Sequence, residues 1–118
     1  MFLPLAHTKF DVYRVSGQVI LEVYKLMTLL PADEKFILVS QIKRTAVSIK
    51  LNIAEGASRK TALERKRFYE IARGSVVELD SAICVCVELG YFTIERADVL
   101  GKLMYRTYGM LSKLTSKE

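Results

Sequence analysis

Ser40-Gln41-Ile42-Lys43-Arg44-Thr45-Ala46-Val47-Ser48-Ile49-Lys50-Leu51-Asn52-Ile53-Ala54-Glu55-Gly56 carries two patterns at once. Val39, Ile42, Ala46, Ile49 and Ile53 recur at alternating steps of three and four, which places them on one stripe along a helix. That stripe is core. Packing does not require the remainder, a Lys43-Arg44 pair and an Asn52, Glu55 pair one helical turn apart just before Gly56.

Three further helical patterns flank this stretch, and no strand pattern competes with them. Helix one is expected from about Lys9 to Leu30, with Val12, Val15, Val19, Val23, Leu26 and Leu30 inward and Pro31 stopping it. Helix two is expected over about 33–55, with Asp33 as its N-cap and Gly56 closing it in the left-handed conformation. Helix three, about 61–89, opens on the capping box Thr61-Ala62-Leu63-Glu64. Its stripe reads Phe68, Ala72, Ser75, Leu79, Ala82, Cys86 and Leu89, and Gly90 ends it. Helix four, about 93–116, repeats the period with Ala97, Leu100, Met104, Thr107, Leu111 and Leu114. Heptad spacing favours near-parallel or antiparallel packing, and short connections make neighbours antiparallel. The expected fold is all-α, a single domain over 1–118 forming an up-down-up-down four-helix bundle.

Composition sets the limits. A chain of 118 residues is one domain, large enough to bury a core without disulfide or metal. Hydrophobic residues reach 51% and mean hydropathy is +0.20, high for a small soluble monomer, so self-association is expected. The longest apolar run, Ala82-Ile83-Cys84-Val85-Cys86-Val87, is far short of the roughly 20 residues of a membrane span. It is nevertheless apolar around the whole helix, and such a helix is normally covered on all sides, here by another chain. Gly17, Gly74, Gly101 and Gly109 fall inside helices, each at a cost of about 1 kcal/mol relative to alanine. Close packing within the chain or between chains accounts for them. Residues 1–8 lack the basic and apolar regions of a secretory signal, which leaves a cytoplasmic location as the expectation. Cys84 and Cys86 point about 200° apart on a helix and read as two small buried hydrophobes.

Charge is unevenly placed. Between Lys43 and Arg73 nine bases face three acids, a local net charge of +6 within a total of +5. Lys60 with Glu64, Lys66 with Glu70, and Glu70 with Arg67 and Arg73 have helical spacing for ion pairs, which is the reading of a solvated, salt-bridged face. The surplus beyond those pairs suits phosphate backbone, which gives affinity without reading sequence. Tyr69 is either a core or interface residue or a stacking platform for a base.

Enzymatic constellations are missing. The single histidine, His7, has no partner in sequence; no Glu-x-x-His pair suggests a di-metal bundle; and no glycine-rich phosphate loop occurs. No catalytic residue, metal or cofactor is expected. Asn52 and Glu55 make the best candidate polar site, with Arg59 nearby, and their spacing favours organising the end of helix two over catalysis.

Ser40 to Ile49, Asn52-Ile53-Ala54-Glu55-Gly56, Arg67-Phe68-Tyr69-Glu70-Ile71-Ala72-Arg73-Gly74-Ser75, Glu78-Leu79 and Leu89-Gly90-Tyr91 resemble the four-helix-bundle proteins of intervening sequences in bacterial large-subunit (23S) rRNA genes. The resemblance runs from helix one to the end of helix four and implies a barrel-shaped homopentamer. It also implies kinship with the accessory proteins of diversity-generating retroelements, basic pentamers that bind nucleic acid and a reverse transcriptase. Two departures stand out: Phe10-Asp11-Val12-Tyr13-Arg14 lacks the usual tryptophan, and Lys50 replaces a proline that often follows Ser48-Ile49.

The resulting expectation is a non-enzymatic oligomer that binds RNA or DNA through Lys43, Arg44, Lys50, Arg59, Lys60, Arg65, Lys66 and Arg67. Asn52, Glu55, Gly56, Gly74 and Ser75 are then structural motif residues. The alternative is an oligomeric scaffold for a protein partner. A nuclease comes third and needs Glu55 exposed beside the basic surface.

Overall fold

The computed structural model describes residues 2, 3, 5 and 11–116; His7 and the expected start of helix one at Lys9 lie outside them. Four long helices form the bundle: α1 (Asp11–Met27), α2 (Ser40–Ala57), α3 (Ala62–Glu88) and α4 (Asp98–Ser116). No strand occurs among the described residues. Helix α1 packs on α2 and α4, and α3 packs on the same two, with the α2–α3 seam the most extensive. The helices therefore stand at the corners of a square in chain order, with the α1–α2 edge opposite the α3–α4 edge.

The expected stripes of α1, α2 and α4 are buried except at their ends, where Leu30, Val39 and Leu114 are half-buried. Val19, Val23, Ile42, Ala46, Ile49, Ile53 and Leu111 have no solvent exposure, and they meet Leu79, Cys86 and Leu100 in one core. Helix α3 is rotated from its expected register. Tyr69, Ala72, Val76, Leu79, Ile83 and Cys86 are buried, whereas Phe68, Ser75 and Ala82 lie half-buried at its flank and Leu89 is exposed. Both stripes have the same period and share Ala72, Leu79 and Cys86, so periodicity alone could not choose the flank. Buried hydroxyls are satisfied within their own helices: Ser16 donates to the Tyr13 carbonyl, Thr107 to that of Leu103 and Thr115 to that of Leu111.

Helix boundaries differ from expectation in instructive ways. Helix α1 stops at Met27, and the amides of Thr28, Leu29 and Leu30 turn to carbonyls three residues back. The chain then enters a 3-10 turn (Ala32–Glu34) from an extended Pro31 and passes through a π-helical turn (Lys35–Val39) into α2. Asp33 sits inside the 3-10 turn and caps nothing, because Pro31 occupies the N-cap position. Gly56 does not take the left-handed conformation; it is buried inside α2, which ends one residue later at Ala57. The left-handed glycine is Gly90, with φ of 81°. Its amide reaches the Val87 carbonyl while that of Tyr91 reaches Cys86, the paired bonds of a Schellman ending to α3.

Glycines in helix interiors separate into two kinds. A Cβ on Gly17 would lie 2.7 Å from Lys50 Nζ, and one on Gly56 would lie 2.9 Å from Tyr69 Cε1. Close approach within the chain explains both. Gly74, Gly101 and Gly109 have nothing within 4 Å of a Cβ, so packing inside this chain does not explain them. Among the described residues no helix is long and apolar enough to cross a membrane.

Candidate nucleic-acid interface

The bases expected to form one surface are divided between two places. Lys43, Arg44 and Lys50 project from α2 on the side of α1. Arg59, Lys60, Arg65, Lys66 and Arg67 gather at the connection into α3. About 21 Å of helix separates Lys43 from the end of α2, at 1.5 Å per residue.

On the first side, α1 brings two tyrosines to two lysines. The Lys43 ammonium lies 4.4 Å from the centre of the Tyr24 ring, and that of Lys50 lies 3.9 Å from the Tyr13 ring. Lys50 also donates to the Tyr13 carbonyl at 3.3 Å and occupies the space left by Gly17. Burial lowers the Lys50 pKa below the ordinary lysine value. This cation is committed to the helix pair. Beside Lys43, by contrast, Tyr24, Arg44, Val47, Ser48 and Leu51 line an open groove of about 290 Å³.

At the α2–α3 connection the cations support the turn itself. Glu55 pairs with Arg59 one turn on, and the Arg59 guanidinium lies 4.9 Å from the centre of the Phe68 ring. Arg65 donates to the carbonyls of Arg59 and Lys60, both at 3.0 Å. Thr61 caps α3 as expected, its hydroxyl accepting from the Glu64 amide at 3.1 Å. Glu64 closes the box on that hydroxyl and not on the Thr61 amide. Tyr69 is core, packed where Gly56 lets α2 and α3 approach, and burial raises its phenol pKa against the opposing charge of Arg65. Lys60 and Arg67 are exposed and Lys66 is half-buried.

Several expected neutralising pairs do not form among the described residues: Glu64 does not pair with Lys60, nor Glu70 with Arg67 or Arg73. Arg73 reaches across to α4, donating to the Tyr108 hydroxyl at 2.7 Å and to Ser112 Oγ at 2.9 Å, with its guanidinium over the Tyr108 ring.

Polar side chains of α2 meet α3 along their seam, and the motif residue Asn52 braces one of them. Asn52 donates to the Ser48 carbonyl at 2.8 Å, and the Ser48 hydroxyl meets that of Ser75 at 2.9 Å. One turn further along, Glu78 accepts from Gln41 at 2.7 Å and from Thr45 at 3.0 Å. Gln41, Thr45, Tyr13 and Tyr24 do not stand out in the sequence because each meets a partner on another helix. The regular spacing of Tyr13, Gly17 and Tyr24 beside the α1 stripe is the signal that points to them.

On the opposite edge, α3 and α4 leave an apolar groove of about 720 Å³ walled by Ile83, Val87, Ala97, Met104 and Tyr105, with Gly101 open to it. A second hollow of about 310 Å³, bounded by Val76, Val77 and Tyr108, shares Gly101, Met104 and Tyr105 with it. Tyr105 is 82% exposed, and Cys84 is exposed in the groove while Cys86 is buried, so the expectation of two buried cysteines holds for one. Among the described residues no group of three or more His, Cys, Asp and Glu side chains is placed to hold a metal ion.

The fold is similar to that of a solved protein of unknown function from the S23 ribosomal protein family of Bacteroides thetaiotaomicron. The two share 20% identity with a TM-score of 0.81, over 90% of this chain and 99% of that one. No curated protein matches the chain. The model of the family described as 23S rRNA-intervening sequence protein matches residues 8–113, a span that holds α1 to α3, most of α4 and the Asn52–Gly56 motif. The chain belongs to that family.

Proposed function

We propose that this chain is a non-enzymatic bundle that assembles with copies of itself along the α3–α4 edge and binds RNA or DNA through its basic surface. The observation that carries the reading is the separation of the two surfaces. The apolar groove lies between α3 and α4, and the cations Lys43 and Arg44 lie on the opposite α1–α2 edge. Assembly through the first leaves the second facing solvent.

Association is supported by what the groove exposes. Val77, beside the groove, is 52% exposed and Tyr105, in its wall, 82%, apolar surface of a kind that marks interaction sites. Gly101 and Gly109 give α4 a bare surface that a neighbouring helix can approach closely. The family resemblance supports five copies. Nucleic-acid binding is supported by the exposed Arg44, Lys60 and Arg67 and by the missing acid partners described above. Oligomerisation multiplies that field and strengthens attraction for a polyanion. Glu55 is bound up with Arg59, which favours a structural role over a nuclease carboxylate.

Affinity for mixed-sequence RNA and DNA, measured against salt concentration, tests the binding; the absence of binding at about 50 mM salt refutes it. The size of the α3–α4 groove favours a second reading, a scaffold holding a protein partner, for which kinship suggests a reverse transcriptase. Pull-down before and after nuclease treatment separates the two: a protein partner that survives nuclease supports the scaffold.

A further inference from the structure

We infer that the groove between α1 and α2 binds single-stranded nucleic acid, taking an unstacked base against Tyr24 and Leu51 while Lys43 and Arg44 hold the flanking phosphates. This rests on the nucleic-acid reading and names the class of nucleic acid and the residues that select it.

The groove has the parts of a single-strand site and lacks those of a duplex site. Tyr24 is 44% exposed, with the Lys43 ammonium over one face of its ring, and Leu51 is 62% exposed, so an aromatic and an aliphatic side chain both meet solvent. Val47 completes an apolar floor on α2. Lys43 and Arg44 sit at the rim, and no carboxylate pairs with either among the described residues. The Lys43 ammonium lies 4.4 Å from the centre of the Tyr24 ring. A volume of about 290 Å³ equals that of roughly ten liquid waters, room for one base and its sugar.

Duplex nucleic acid presents phosphates but keeps its bases stacked, so it gains from the cations and nothing from the ring. A single strand gains from both. The neighbouring Tyr13–Lys50 pair shows what a purely structural version of this arrangement looks like: its lysine is desolvated and bonded to a backbone carbonyl. Lys43 makes no such bond among the described residues and borders open space. An acidic protein segment would also meet the cations, but carboxylates make no use of the Tyr24 and Leu51 faces.

The test compares fluorescently labelled oligouridine with a mixed-sequence RNA duplex at about 50 mM salt, using the full chain and two variants, with polyglutamate as competitor. The single strand should bind more tightly than the duplex. Tyr24→Leu should weaken single-strand binding about tenfold while leaving duplex affinity and the salt dependence unchanged. Leu51→Ala, at a 62% exposed position, should weaken it as well while leaving duplex affinity unchanged. Polyglutamate at equal charge should compete poorly. Equal affinity for both RNAs with neither variant having an effect overturns this inference and leaves the basic-surface reading standing, as does efficient displacement by polyglutamate. Failure of both RNAs to bind overturns the nucleic-acid reading itself.

Discussion

Lys50 meets Tyr13 twice: its ammonium lies 3.9 Å from the centre of the ring and donates to the backbone carbonyl of the same residue at 3.3 Å. Gly17, one turn along α1, supplies the space. The pair shows how a helix-interior glycine and a lysine on the neighbouring helix serve one contact.

Gly17→Ala therefore has opposed effects. Alanine gains about 1 kcal/mol of helix propensity, but its Cβ displaces Lys50 Nζ from a site 2.7 Å away. A double-mutant cycle should find the full gain in a Lys50→Met background and a gain smaller by about 0.5–1 kcal/mol in the wild type, the coupling expected of residues in contact. Additivity would show that Lys50 is not held where the structure places it.

Gly56→Ala should destabilise the protein. The added Cβ would lie 2.9 Å from Tyr69 Cε1 and 3.0 Å from Phe68 Cβ. The Tyr69 ring is buried and cannot swing aside, so overpacking of about 1–3 kcal/mol outweighs the propensity gain. Gly74→Ala, with open space around it, should stabilise an isolated chain by up to about 1 kcal/mol. Urea unfolding of both variants checks the contrast.

Tyr91 donates to Glu34 at 2.5 Å and ties the α3–α4 connection to the turn before α2. The accepting carboxylate pushes the phenol pKa up to about 12 from its ordinary 10. A raised pKa contributes stability that is fully present below pH 10 and fades as pH rises through about 12. Tyr91→Phe should accordingly be less stable than wild type at pH 8, with the gap closing between pH 10 and 12. A gap that does not change with pH would contradict the bond.

The fold is legible in the sequence because each helix repeats apolar residues at three and four, and Gly90 and Thr61 carry their boundary functions locally. The register of α3 is not, since Phe68 and Tyr69 both satisfy the period and the choice depends on packing against α2, where the Tyr69 ring lies against Gly56. Asn52 and Glu55 fall among the structural possibilities that their spacing allows. The basic segment is legible as charge but not as geometry: nothing in its spacing shows that Lys50 and Arg65 bond backbone carbonyls, or that Tyr24 joins Lys43 and Arg44.

Association through the α3–α4 edge makes its own prediction. Tyr105→Asp, at an 82% exposed position, should leave the helix content intact while shifting the mass seen by light scattering from an assembly to the 13.4 kDa chain. Gly101→Ala should do the same in part, raising α4 propensity while filling the space a neighbour would use. A wild-type protein that scatters as a monomer at micromolar concentration would remove the assembly.

The salt dependence of binding to mixed-sequence RNA and DNA tests the central claim most directly. The account predicts affinity that falls linearly on logarithmic axes as salt rises, with a slope made shallower by about 0.7 to 0.9 for each phosphate that Arg44→Ala or Arg67→Ala leaves without its cation. Binding that is undetectable at about 50 mM salt, or that does not weaken as salt increases, would contradict it.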